Sequence, residues 1–428
     1  MSEPREPDGW SPPDPGVPGG RSAEPTGEDR LPEFERPQPS WQGVPSPGQQ
    51  DPYNQDPHAQ DPRAQAYVQA PHGPGPYPQP YGVYGAQPAR TPWIAAPPAG
   101  VPFHRMARTD AHRWWRPLLG TVAIAGVGIG MSAVLLLAGT IVALAVTGEM
   151  PETSGADDTT IFGNDIADLV FNLAAIAVFL PVVLFAAWGI QRRRPGTLSS
   201  IAGRLRWKWM LVCSGLAILY TIVAFGTSFL AGLTLDDQSA DDGQWVGWGE
   251  FLGPTLIIIL LVPFQASAEE YMFRGWLLQA VGACTLENAK RKAGRALSVV
   301  FRTPWPGIVV GSALFTMMHG YTGWGMLDIF AFGAITGWLA VRTGGLEAPI
   351  ALHVFNNLLA FIVSAALGQL EIVQGSVPWQ VVVADLFSML LFAAGAVWLA
   401  RRMRIQTVTP APAEDGAPAA GTDPARVP

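Results

Sequence analysis

Seven polar side chains stand inside otherwise apolar stretches of this 428-residue chain, in three groups: Glu269, Glu270 and Arg274; His319; and His353, Asn356 and Asn357. Groups of this kind are expensive within a membrane and are retained there mainly for function. In the first group, Ala268-Glu269-Glu270-Tyr271-Met272-Phe273-Arg274, helical spacing puts Glu270 and Arg274 at i and i+4, where they can pair. Glu269 is rotated about 100° away and has no cation on its own helix. A carboxylate left uncompensated in a low dielectric takes up a proton readily, which suits a group that must accept one from water. The competing reading is an ion pair with a spare surface glutamate.

The second group, Phe315-Thr316-Met317-Met318-His319, sets an aromatic ring and an imidazole one turn apart on one face. The third, His353-Val354-Phe355-Asn356-Asn357, stacks His353 and Asn357 in the same way, while Asn356 points elsewhere and is expected to bond across helices. The other histidines, His58, His72, His104 and His112, precede the apolar body. Counting inward from helix ends near 283, 305 and 347 puts Glu269 and His319 each ~20 Å deep, Asn357 ~15 Å and His353 ~9 Å.

The elements that must position these groups are long apolar helices. Spans are expected at 118–147, 167–190, 209–233, 252–283, 305–320, 324–341, 347–367 and 380–400, each near the length that crosses a bilayer. The fifth and sixth are short and flank Gly320-Tyr321-Thr322-Gly323, so a re-entrant hairpin is the alternative. The fold class is therefore all-α, a polytopic membrane bundle of about eight helices. Residues 1 to about 110 hold 25 of the 40 prolines and show no apolar periodicity, and they are expected to be a disordered cytoplasmic tail. Residues 111–406 form the transmembrane domain, with its core at about 205–370, and 407–428 form a second disordered tail.

Net charge is −7, but its distribution is more telling than its sum. Two connections are acidic without a basic residue, one with Glu149, Glu152, Asp157, Asp158 and Asp165, the other with Asp236, Asp237, Asp241, Asp242 and Glu250. Lys and Arg gather at 105–116, 192–208, 290–302, 342 and 401–404. The alternation places both termini in the cytoplasm of a multi-pass cell-membrane protein. Tryptophans near span ends, Trp114, Trp115, Trp207, Trp209, Trp245, Trp248, Trp305 and Trp379, fit an interfacial belt. The polar N-terminus is unlike a cleavable signal peptide, so the first span is expected to direct insertion. Cys213 and Cys284 fall in or beside apolar helices, which argues against a disulfide framework.

The ordered set Glu-Glu-x-x-x-Arg, Phe-x-x-x-His, His-x-x-x-Asn resembles the CPBP family over roughly residues 205–370. That family takes in CAAX prenyl endopeptidases, Ras-converting enzymes and the Abi-like bacteriocin-immunity proteins. The resemblance implies an intramembrane endopeptidase in which Glu269 activates water and His319 helps to hold it. His353 and Asn357 would then donate to the oxyanion, with Glu270, Arg274 and Phe315 as supporting residues. The family is often called a metalloprotease family, and Glu269, His319 and His353 would be the ligands of a zinc ion. No helical His-Glu-x-x-His is present, however, and glutamate-activated water needs no metal. The expected partners are the lipid bilayer and a membrane-associated protein or peptide substrate, not nucleic acid.

Rhomboid-type serine chemistry fails at Phe229 of Gly226-Thr227-Ser228-Phe229. Presenilin-type chemistry lacks its Gly-x-Gly-Asp near Asp328, and Asp328 and Asp385 are read as structural or water-contacting. A transporter would show paired halves, which hydropathy does not reveal. The rival from another class is a non-catalytic immunity or scaffold protein of the same family.

Overall fold

The long apolar runs become helices because a chain in hydrocarbon must satisfy its backbone internally. The computed structural model describes residues 92–150, 161–235, 244–370 and 374–411. The tail before residue 92, the tail after 411, and Glu152, Asp157, Asp158, Asp236, Asp237, Asp241 and Asp242 lie outside these residues. The helices are α1 (Trp115–Thr147), α2 (Asp165–Ala177), α3 (Phe179–Gly189), α4 (Trp207–Gly232), α5 (Trp248–Glu270), α6 (Leu278–Gly282), α7 (Lys292–Phe301), α8 (Trp305–Met317), α9 (Trp324–Thr343), α10 (Glu347–Ala366) and α11 (Trp379–Arg402). A π-helical segment, Tyr271–Leu277, joins α5 to α6 in one helical run, Trp248–Gly282. No strand occurs among the described residues.

Seven helices are long and apolar enough to cross a membrane, or eight if α7 and α8, bent by 74° at their junction, are one broken span. α8 has 13 residues, only ~20 Å at the helical rise, too short to cross alone. The expected span at 305–320 is therefore a short helix returning through 318–323 into α9. Outward faces are apolar, as lipid contact requires: Leu118, Val122, Leu211, Ile222, Leu256 and Phe387 are all exposed. Trp209 departs from the expected belt. It shares a helix face with Cys213, Ala217 and Tyr220 and is buried with them in the core between α4, α9, α10 and α11.

α10 is the central element, packed on α4, α5 and α9. α9 ends where Gly344 takes φ +70°, a left-handed cap that favours glycine. The chain then re-enters α10 at Glu347, whose carboxylate accepts from the backbone N–H, Nε and Nη2 of Arg206 at 2.8, 2.8 and 2.6 Å. This ties the start of α4 to the start of α10.

One expectation about domain limits changes. Residues 92–113 form a strap across the basic end of the bundle rather than part of a free tail. Phe103 and Met106 are wholly buried. Arg108 binds Glu287 through both oxygens at 2.6 Å, Arg105 donates to Arg302 O, and Arg192 donates to Trp93 O. His104 is buried, and burial lowers its imidazole to about 4, so it packs as the neutral ring. At the other end Thr409 is buried and pairs with Val101, so the packed body runs past 406. Proline-rich composition hid the two apolar anchors. Burial of two such side chains contributes about 3–6 kcal/mol. Deleting residues 1–113 should therefore lower the melting temperature in detergent sharply, and deleting 1–91 should leave it close to wild type. Equal melting of the two truncations would show that the strap does not stabilise the bundle.

Candidate functional site

The last turn of α5 and the π segment after it carry the acidic group. A π-helical turn inside an α-helix is rare and concentrates at functional sites. Glu270 is completely buried, and its Oε1 accepts from Arg274 Nη1 at 3.0 Å and His353 Nδ1 at 2.8 Å. Glu269 keeps 7% of its surface exposed. Its Oε2 accepts from Gln265 Nε2 at 2.9 Å and lies 3.2 Å from His353 Nε2. Its Oε1 has no hydrogen-bond partner among the described residues, yet it is not one of the enclosed, unpartnered atoms. The two glutamates thus differ in access: Glu270 is paired with Arg274 and its Oε2 is enclosed without a partner, while the partner-free Oε1 of Glu269 is not enclosed.

His353 sits between them. Its Nδ1 is hydrogen-bonded to Glu270, and its Nε2 lies within ion-pair distance of Glu269. Glu269 therefore has an ionisable neighbour that its own helix does not supply, His353 on α10. The shallow depth reckoned for His353 also fails. The helical run holding Glu269 continues from Trp248 to Gly282, beyond the start of α10, so depths counted from the two ends had different origins.

Arg274 is 4.4 Å from the ring of Phe315, with Phe273 at 5.8 Å and Phe332 at 5.9 Å. A guanidinium against aromatic faces is held by cation–π attraction where its hydrogen bonds are few. Phe315 also packs against His319 at 4.4 Å and edge-on to His353 at 5.9 Å between centroids. It therefore links all three motifs. His319 Nδ1 lies 2.7 Å from Phe315 O; with the proton on Nδ1 the bond forms and Nε2 keeps its lone pair. His319 is half-buried, beside exposed Met317 and Met318. No hydrogen bond joins it to Glu269.

Asn357 donates through Nδ2 to Gln265 Oε1 at 3.1 Å. Asn356 accepts from Tyr220 OH on α4 at 2.7 Å, the cross-helix bond expected of it. Gln265 escaped the sequence reading although it stands one turn before Glu269, a polar residue just past the apolar run Leu256–Pro263. The i, i+4 rule that paired Glu270 with Arg274 would have found it. Gln265→Leu removes a hydrogen bond to a charged group, worth about 1.5–3 kcal/mol. Activity should fall roughly 10- to 100-fold, and the melting temperature should fall with it because Asn357 Nδ2 also loses its acceptor. Unaltered kcat in this variant would show that Glu269 needs no such support.

The zinc ligand set suggested by the resemblance is not gathered. Among the described residues, no three His, Cys, Asp or Glu side chains converge to hold a metal ion. His353 has both nitrogens on carboxylates, and His319 stands apart from them. Asp385 accepts from Ser228 at 3.4 Å, with no histidine bonded to that serine.

Residues 251–359 match the family described as Type II CAAX prenyl endopeptidase Rce1-like. The matched stretch contains all three motifs. An uncharacterized protein of Bacillus subtilis (strain 168), YyaK, is 24% identical over 206 residues, which covers 47% of this chain and 62% of that protein. No solved structure matches.

Proposed function

We propose, on the premise that residues 251–359 belong to the Rce1-like CAAX endopeptidase family, that this chain is an intramembrane endopeptidase using glutamate-activated water. The observation that carries the reading is the asymmetry of the two glutamates about His353. Glu270 holds Arg274 and His353 through Oε1 and its other oxygen is enclosed without a partner, whereas the partner-free oxygen of Glu269, Oε1, is not enclosed.

Water held between Glu269 and His319 Nε2 gives a proton to Oε1 as its oxygen bonds to the scissile carbonyl carbon. The C=O electron pair becomes the oxyanion. Asn357 Nδ2 serves it by exchanging Gln265 for the substrate, and His353 Nε2 can join by releasing its 3.2 Å contact to Glu269. Collapse of the intermediate breaks the C–N bond, and the proton on Glu269 passes to the departing amine. Glu270, Arg274 and Phe315 hold the helices in register. The described residues form no metal ligand set, and Glu269 itself takes the proton from water.

The substrate class is a membrane-associated protein or peptide, reached in a cell membrane with both termini of the chain cytoplasmic. The loop charges support that orientation. The immunity or scaffold reading would keep the same polar cluster without turnover. Comparing N-terminal peptides from membranes holding wild type or Glu269→Gln separates them. New termini are expected only with wild type, and identical peptide sets would favour the scaffold.

A further inference from the structure

The connection between α6 and α8 carries five basic residues without an ion pair among the described residues. Lys290, Arg291, Lys292, Arg295 and Arg302 are all exposed. The acid nearest in sequence, Glu287, is taken by Arg108. Much of this charge lies on or beside α7, a helix of ten residues that contacts little of the bundle except α8. Helical spacing sorts its side chains. Lys292 and Arg295 stand on one side, while Ala293, Leu297 and Val300, at i, i+4 and i+7, line another. Leu297 and Val300 are each half exposed, and Ser298 faces the protein.

The bend sets the direction of this helix. α7 meets α8 at 74°, so where α8 enters the bilayer α7 turns toward the membrane plane. Trp305, exposed at the start of α8, marks the interface level. Beyond it Val309 and Val310 on α8 are exposed apolar residues, as Leu297 and Val300 are on α7. A short helix with exposed Leu297 and Val300 on one side, and Lys292 and Arg295 flanking the exposed Val299 on another, is built for a headgroup layer. A single sign of charge selects the lipid. We propose that α7 is an in-plane helix seated on anionic phospholipid headgroups at the basic end of the bundle.

The test uses the full chain in nanodiscs of phosphatidylcholine alone or of phosphatidylcholine with phosphatidylglycerol, read by hydrogen–deuterium exchange over residues 292–301. Exchange should slow on the order of threefold or more in the anionic discs. High salt should remove the difference. The K290Q/R291Q/K292Q/R295Q variant should show none, with the exchange of α9–α11 unchanged as the control for folding. Leu297→Asp should raise exchange of α7 in both lipids. Equal exchange of wild-type α7 in the two compositions would overturn the proposal. So would protection conferred in detergent by an added acidic peptide, which would assign the surface to a protein partner instead.

Discussion

Replacing Glu269 by Gln is expected to reduce kcat by ~10²–10⁴-fold, the usual contribution of a positioned general base, and to leave the melting temperature within a few degrees of wild type. An amide keeps the size of the carboxylate and can still bond to Gln265, but it cannot take a proton from water. The fold tolerates the change because no buried cation is stranded. His353 retains Glu270 at 2.8 Å through Nδ1, and Arg274 keeps the same carboxylate at 3.0 Å. Paired measurements of reporter cleavage and thermal unfolding read the two effects separately. Cleavage within a few-fold of wild type would remove Glu269 from the chemistry and leave the scaffold reading standing.

Much of this arrangement was legible in the sequence because it depends on helical period. Glu270 with Arg274, Phe315 with His319, and His353 with Asn357 are all one-turn relations on single helices. Period alone also separated the two glutamates. What escaped depends on which helix faces which. The bridging of Glu269 and Glu270 by His353 is an interhelical contact between α5 and α10, and no spacing within either helix encodes it. The same holds for Arg274 against Phe315, a contact that gives the aromatic of the second motif its purpose. The π segment left no mark on the apolar pattern, because a local change of turn in a buried helix needs no change of composition. The strap was missed for the opposite reason. Two buried anchors, Phe103 and Met106, lie in a stretch whose prolines dominate its composition. Likewise the charges of α7 suggested a loop, although Ala293, Leu297 and Val300 already stood at helical spacing.

Glu270→Gln is expected to do the reverse of the Glu269 change, with stability and activity lost together. Arg274 is buried, and Glu270 is the one carboxylate within ion-pair distance of it among the described residues. Removing one partner of a buried pair typically costs about 3–5 kcal/mol, since the remaining charge is left uncompensated in a low dielectric. The ring of Phe315 at 4.4 Å offsets part of this, but a cation–π contact of ~2 kcal/mol cannot replace the carboxylate. His353 Nδ1 is left with a neutral amide oxygen in place of a carboxylate, which loosens the orientation that directs Nε2 at Glu269. A second variant distinguishes the two consequences. In E270Q/R274M the stranded guanidinium is gone, so the melting temperature should recover most of the way to wild type. Activity should stay low, because His353 still lacks its charged anchor. A double variant that regains cleavage along with stability would show that Glu270 acts only as the counter-ion of Arg274. A single variant melting like wild type would show that the pair does not hold the helices in register.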